Sequence, residues 1–180
     1  MTVLRTAVVV NCLALFVVSS GCGYALAGRG NSLPASIKTI GIPQFGNESP
    51  VGEVAPALTK AVIAEFQGRG RYRIDSEGAG ADAILTGTVT SVTLTPIAFT
   101  TDNQVARNLV VITASLEFKD TATNKVIWSN PAFQLRDEYL VTTSDTANDP
   151  AAFFSQDENA LERVSRTFSR AVVAAIFEAF

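Results

Sequence analysis

The 180-residue chain has no histidine at all, and only two cysteines, one methionine and one tryptophan. Without histidine, the commonest general base is missing, and so is the commonest transition-metal ligand. Charge is sparse and slightly negative: 14 Lys and Arg face 17 Asp and Glu, a formal net of −3. A dedicated nucleic-acid binder carries a basic stripe, so no nucleic-acid partner is expected. No GxSxG, P-loop or post-strand GxGxxG pattern occurs, which removes the common hydrolase and nucleotide-site signatures. Gly68-Arg69-Gly70 and Gly78-Ala79-Gly80 read as turns between elements. Asp137 and Glu138 adjoin one another, so on a strand they face opposite sides and form no acid/base pair. An enzyme is not expected.

Long apolar runs are also scarce. The longest, Ala7–Val18, is broken only by Asn11 and Cys12 and preceded by Arg5. It is about a dozen residues, whereas a bilayer-spanning helix needs roughly 20. A short basic segment, a short apolar segment and the small residues Ser19-Ser20-Gly21 describe a secretory signal peptide over residues 1–21. Cys12 leaves with that leader, so Cys22 has no intramolecular partner for a disulfide. Ser20-Gly21-Cys22 resembles the end of a bacterial lipobox, although Ser19 stands where an aliphatic residue is usual. Cys22 is therefore the expected lipidation site. With that thiol occupied, no Cys/His zinc site can be assembled, and neither metal nor cofactor is expected. Several acyl chains give a lasting anchor where one chain holds weakly. Gly23 rather than aspartate after the cysteine favours, by the same resemblance, the outer membrane. Removing Arg5 with the leader leaves 13 Lys and Arg against the same 17 Asp and Glu, a net of −4. The mature portion, 159 residues, has the size of one domain with a real core.

Residues 22–36, rich in Gly, Ser and Asn, read as a lipidated tether, and 37–180 as a single α+β domain. Ile37–Ile42 alternates like a strand. Val54, Leu58, Ala61, Val62 and Phe66 share one helical face, with Pro56 in the first turn and Gly68 as terminator. Arg71–Asp75 is a short strand. Three long strands follow, over Ala83–Thr95, around Val110–Phe118 and over Val126–Tyr139. The first changes apolar parity between Val89 and Val92, which predicts a bulge near Thr90-Ser91. Asp120–Asn124 is a hairpin connection, and Pro131 marks a bulge or an edge in the last strand. Ser155 and Glu158 form a capping box for a closing helix. Its expected apolar stripe is Leu161, Val164, Phe168, Ala171, Val172, Ala175 and Ala179, with Glu162, Arg163, Arg166 and Arg170 solvated. The expected architecture is a two-layer sandwich: a mixed four- to five-stranded sheet with two helices packed on one face.

These parts resemble the LPS-assembly lipoprotein family (LptE). The resemblance rests on Gly21-Cys22-Gly23-Tyr24-Ala25-Leu26-Ala27-Gly28-Arg29-Gly30, then Leu33-Pro34 and Ile37–Ile40. Further matches are Ala81–Leu85, the Phe118-to-Trp128 hairpin, Phe133–Tyr139 and the closing helix. It implies a lipid-anchored outer-membrane protein that plugs and supports the β-barrel translocon inserting lipopolysaccharide into the outer leaflet. Direct lipopolysaccharide contact is also implied. Two loops, Pro96–Ala106 and Val141–Phe154, are the candidate contact regions, but their tips carry Asp102, Asp145 and Asp149. The nearby cations are Arg107 and Arg136, the candidate partner or lipopolysaccharide contacts, each more readily read as a surface or paired residue. The stretch from Ile37 to Thr90 also resembles envelope lipoproteins of the curli-secretion and penicillin-binding-protein-activator type.

Overall fold

Alternating apolar residues from Val110 to Phe118 put one side of a strand in a core, and the rest of the fold is arranged around that side. The computed structural model describes residues 33–140 and 149–179. The elements are β1 (Thr39–Gly41), β2 (Gly46–Asn47), α1 (Val54–Gly68), β3 (Arg73–Asp75), β4 (Ala83–Phe99), β5 (Val105–Asp120), β6 (Val126–Leu140), α2 (Pro150–Gln156) and α3 (Glu158–Glu178). The sheet runs β3-β1-β4-β5-β6, with β2 paired to β4 as a sixth strand. β1 is parallel to β3 and β4, while β4, β5 and β6 are antiparallel. The fold is thus a mixed α+β sheet as expected, with, among the described residues, one strand more than the upper estimate and three helices rather than two. The extra helix, α2, is a seven-residue turn with Pro150 at its start, too short to leave a periodic signal.

Val110, Ile112, Ala114, Leu116 and Phe118 of β5 are all buried and pack with Leu85, Val89 and Val92 of β4. The opposite side carries Thr86, Thr93, Thr95, Thr113, Ser115 and Glu117. The parity switch is real: Val89 pairs with Ala114 and Ser91 with Thr113, so Thr90 is extra. Its hydroxyl donates to the Thr113 carbonyl at 3.1 Å, which satisfies the group the bulge displaces. A second irregularity falls between Phe133 and Asn130, beside Pro131 on the edge strand. Gly87 is where the sheet must stay bare. A Cβ there would lie 2.8 Å from Leu116 Cδ2 and 3.0 Å from the Phe45 ring.

On α1, Val54, Leu58, Val62 and Phe66 are buried, but Ala61 is half-exposed. Ala55 and Thr59 are buried in addition. Thr59 donates to the Ala55 carbonyl at 2.7 Å and accepts from the Phe45 N–H at 3.0 Å, tying the loop to the helix. The helix ends at Gly68 as expected, yet the left-handed residue is Gly70, with φ +65°. The capping box is not formed. Ser155 lies inside α2, its hydroxyl donating to the Ala152 carbonyl at 2.9 Å. Asp157 caps α3 instead, accepting from the Ala160 N–H at 2.9 Å, and Asp149 caps α2. An aspartate two residues on competed with the serine, and a carboxylate is the stronger acceptor.

The closing helix buries a wider arc than the stripe implied. Ser165, Ser169, Val173 and Ile176 are buried, whereas Ala171 and Ala175 are half-exposed and Ala179 is exposed. The helix touches both the sheet and α1, so two faces lose water. Phe177 meets Phe66 and Tyr72, with ring centroids 6.1 Å and 5.8 Å apart, and Phe168 meets Phe133 at 5.5 Å. The packed core already includes Leu33, whose N–H donates to Tyr72 Oη at 3.1 Å.

Candidate functional site

β4, β5 and β6 are 17, 16 and 15 residues long, giving a ribbon of about 50 Å at 3.2–3.4 Å per residue. The helices cover one side, and the other presents the threonine- and serine-rich surface. Strand register places both candidate cations there. Arg136 pairs with Val111, and Arg107 with Leu140, four residues further along the strand. That offset separates them by about 13 Å. Arg107 Nη1 donates to Glu138 Oε2 at 3.0 Å, a half-exposed ion pair. Arg136 Nη2 donates to Gln134 Oε1 at 3.0 Å. The two share a face but form no joint cationic site, and each is engaged by a neighbour from β6.

The candidate loop Pro96–Ala106 is mostly strand. β4 continues to Phe99 and β5 begins at Val105, so only a tight turn remains. The Thr100 N–H donates to the Gln104 carbonyl at 2.8 Å, and Asn103 takes φ +59°. Of the second loop, residues 141–148 lie outside the described residues. Its end is helical, with Phe153 and Phe154 buried in α2 and the Asp149 carboxylate consumed by the cap. Sequence reasoning missed what the ribbon extension exposes. Ile97 is 43% exposed, Phe99 57% and Leu140 71%, all at the turn end of the ribbon. Alternation continuing through Thr95, Ile97 and Phe99 was the signal, obscured by Pro96.

Tyr139 locks that end of the ribbon to the helices. Its ring stacks edge-on against Phe153 at 5.8 Å, and the Arg163 guanidinium lies 4.2 Å above its centre. Burial pushes the hydroxyl up to about 12, against the pull of Arg163, and the hydroxyl donates to Asp137 Oδ2 at 3.1 Å. Arg163 is exposed, as expected, and in addition lays its guanidinium over that ring. At the far end, Asp82 accepts the N–H groups of Lys38 at 2.9 Å and Thr39 at 2.8 Å, which holds its carboxyl below the usual range. Neither group is poised for proton transfer near neutrality. Among the described residues, no three carboxylates or thiols gather as a metal site.

A family model for lipopolysaccharide assembly, LptE, matches residues 37–176. The chain belongs to the LptE family. No curated protein sequence matches it. Among solved structures, PelC from Paraburkholderia phytofirmans, a dodecamer, is 14% identical with a TM-score of 0.50. That match covers 82% of this chain and 93% of PelC. Lipoprotein B from Nitrosomonas europaea is 12% identical with a TM-score of 0.49, covering 87% and 93%. A minor lipoprotein from Acinetobacter baumannii is 13% identical with a TM-score of 0.46, covering 81% and 94%. At these identities the PelC likeness extends to the fold alone. The matched residues, 37–176 of this chain, run from just before β1 into the last turn of α3, so the family match spans both layers. No helix among the described residues is long and apolar enough to cross a membrane.

Proposed function

We propose that this LptE-family chain is a non-catalytic outer-membrane lipoprotein that plugs and supports the β-barrel lipopolysaccharide translocon. Its leader, residues 1–21, is removed and Cys22 carries the lipid anchor; both lie outside the described residues. The observation that carries the reading is the long helix-free face of β4–β6. It is rich in hydroxyls, with Leu109 and Val111 lying among the charged residues toward the tip, and it is backed along much of its length by a packed core. The inner wall of a large barrel is polar too, and threonine and serine side chains can hydrogen-bond to it without leaving charges unpaired. A ribbon of about 50 Å also exceeds the 40–45 Å thickness of a bilayer with its headgroups, so it can line a lumen from end to end.

Arg107 and Arg136 are the cations this face offers to the barrel or to an anionic glycolipid. Each is exposed enough to exchange its present partner, Glu138 or Gln134, for an incoming phosphate. The resemblance to curli-secretion and synthase-activator lipoproteins has no observation of its own on this face. Affinity purification from solubilised outer membranes tests the proposal. One large β-barrel recovered with one copy of this chain is the expected outcome. Recovery without any barrel, or with a peptidoglycan synthase, refutes it.

A further inference from the structure

Where the ends of α1 and α3 meet, a cleft of about 220 Å³ is lined by Arg69, Arg71, Tyr72 and Phe177. Every polar side chain in that lining can donate. The Arg69 guanidinium lies 5.1 Å from the centre of the Phe177 ring and reaches Glu65 across a long 3.4 Å. Arg71 is exposed, and its side chain enters no hydrogen bond or ion pair among the described residues. Tyr72 Oη accepts the Leu33 N–H at 3.1 Å, and its own O–H has no acceptor among the described residues. Arg73, at the start of β3, is exposed and likewise without an ion pair there. The carboxylates nearest along the chain are Glu65, already engaged by Arg69, then Asp75 and Glu178, and none of them lines the cleft. Two guanidiniums and a phenol without a carboxylate suit a ligand that only accepts, and a phosphate oxyanion does so in the fork geometry arginine offers.

We infer that this cleft takes the phosphodiester of a phospholipid headgroup. Arg71 supplies a free guanidinium, Arg69 one already steadied on an aromatic face, and Tyr72 a hydroxyl proton. The path of the chain selects the lipid as source. Tyr72 holds Leu33, the first described residue, and residues 22–32 lead from there to Cys22. With Cys22 acylated, as proposed above, a tether this short keeps headgroups near the cleft at millimolar effective concentration, so a weak site is filled. Size agrees, because the cleft falls below the roughly 300–1,000 Å³ of a pocket for a whole small-molecule ligand. A headgroup fits and acyl chains stay in the membrane. The whole chain carries a net of −3, so attraction to a phosphate surface must come from this local set rather than from the overall field. Tether and cleft then hold the same end of the domain against the membrane, which stands the ribbon away from it. That orienting role rests on the Cys22 anchor, whereas the affinity of the cleft for a phosphodiester does not.

Titration calorimetry of the detergent-solubilised full chain with glycerophosphoglycerol, a headgroup without acyl chains, tests the cleft apart from the anchor. Binding at about 1 mM is expected, the scale of a few exposed charge-assisted hydrogen bonds. Arg71→Ser is expected to weaken it about tenfold. Arg71→Lys is expected to weaken it less, since the charge stays and only the fork is lost. Arg170→Ser, exposed on α3, is expected to bind like wild type, and all three variants to melt close to it. No binding up to about 20 mM, beyond the millimolar level a short tether supplies, overturns the inference. So does an affinity that Arg71→Ser leaves unchanged. Inorganic phosphate that binds through Arg71 while the diester does not would assign the cleft to a free anion and refute the lipid source. The mass of native Cys22 separates this inference from the anchor reading. An unacylated Cys22 in a chain that still binds the diester supports the site and refutes the orienting role. An acylated Cys22 in a chain that does not bind overturns the site and leaves the anchor standing.

Discussion

Tyr139 shows how a single side chain joins the two layers. Its ring is held by Phe153 and Arg163, while its hydroxyl reaches Asp137. Tyr139→Phe keeps the ring contacts and loses the hydroxyl, so the expected cost is about 1 kcal/mol, read as a drop of a few degrees in melting temperature. Alkaline titration tests the same residue. Its folded-state value of about 12 lies above the ordinary 10.0, so the unfolded chain ionises first. The stabilisation from the neutral hydroxyl is complete below pH 10 and disappears as pH rises toward 12. Chemical unfolding between pH 9 and 12 should show the decline in wild type and a flatter limb in Tyr139→Phe. Asp82 behaves oppositely. Two N–H donors depress its pKa, so its contribution is present above the ordinary carboxylate value and fades as pH falls below about 4. Asp82→Asn is expected to melt lower than wild type at pH 7, with the gap closing at acid pH. A gap that persists at low pH would place the residue's importance in something other than its charge.

At the scale of elements, legibility followed the strength of periodicity. The β5 alternation, the Thr90 bulge and the Pro131 irregularity all stand in the structure where hydrophobic pattern and proline chemistry put them. Five regularly alternating residues, Val110 to Phe118, leave one consistent burial choice. Helix ends were less legible, because a cap is decided by one local hydrogen bond and Ser155 and Asp157 are both credible acceptors. The structure chooses Asp157, so Asp157→Ala should cost about 1 kcal/mol, while Ser155→Ala should change stability little. Equal losses from the two, measured by denaturant midpoint, would contradict that assignment. The ribbon extension was hidden by Pro96, a residue usually kept out of strand interiors. Here register slips between Pro96 and Ala98 and again before Phe99 accommodate it. Tight packing between elements gives a further prediction. Gly87→Ala drives a methyl group into Leu116 and Phe45, and such overpacking typically costs 1–3 kcal/mol. Thermal unfolding should register it, even though Gly87→Ala nominally improves strand composition.

At the scale of the whole molecule, the candidate site was half legible. Arg107 and Arg136 were identified and share a face, but pattern alone could not reveal their engagement by Glu138 and Gln134 from β6. Nor could it show the apolar tip, which exists only because β4 and β6 outrun the helices. Geometry sets how the molecule would stand in a barrel. β1 pairs with the first residues of β4, Ile40 with Ala83, whereas Phe99 ends that same strand. Leu33, where the described chain starts, is bound to Tyr72 just before β3, so the start of the described chain and the tip lie at opposite ends of the ribbon. With Cys22 lipidated as proposed, residues 22–32 would reach about 36 Å when extended, enough for that end to sit at the periplasmic side with the ribbon pointing into the proposed lumen. Photo-crosslinking side chains placed at Thr93, Thr113 and Glu117, all on the polar face, are therefore expected to label the barrel along its height. A probe at Thr167, exposed on α3, is expected to label it far less. Should Thr167 label strongly while the three sheet positions stay silent, the helical layer would face the wall, and the polar sheet face could not be the plugging surface.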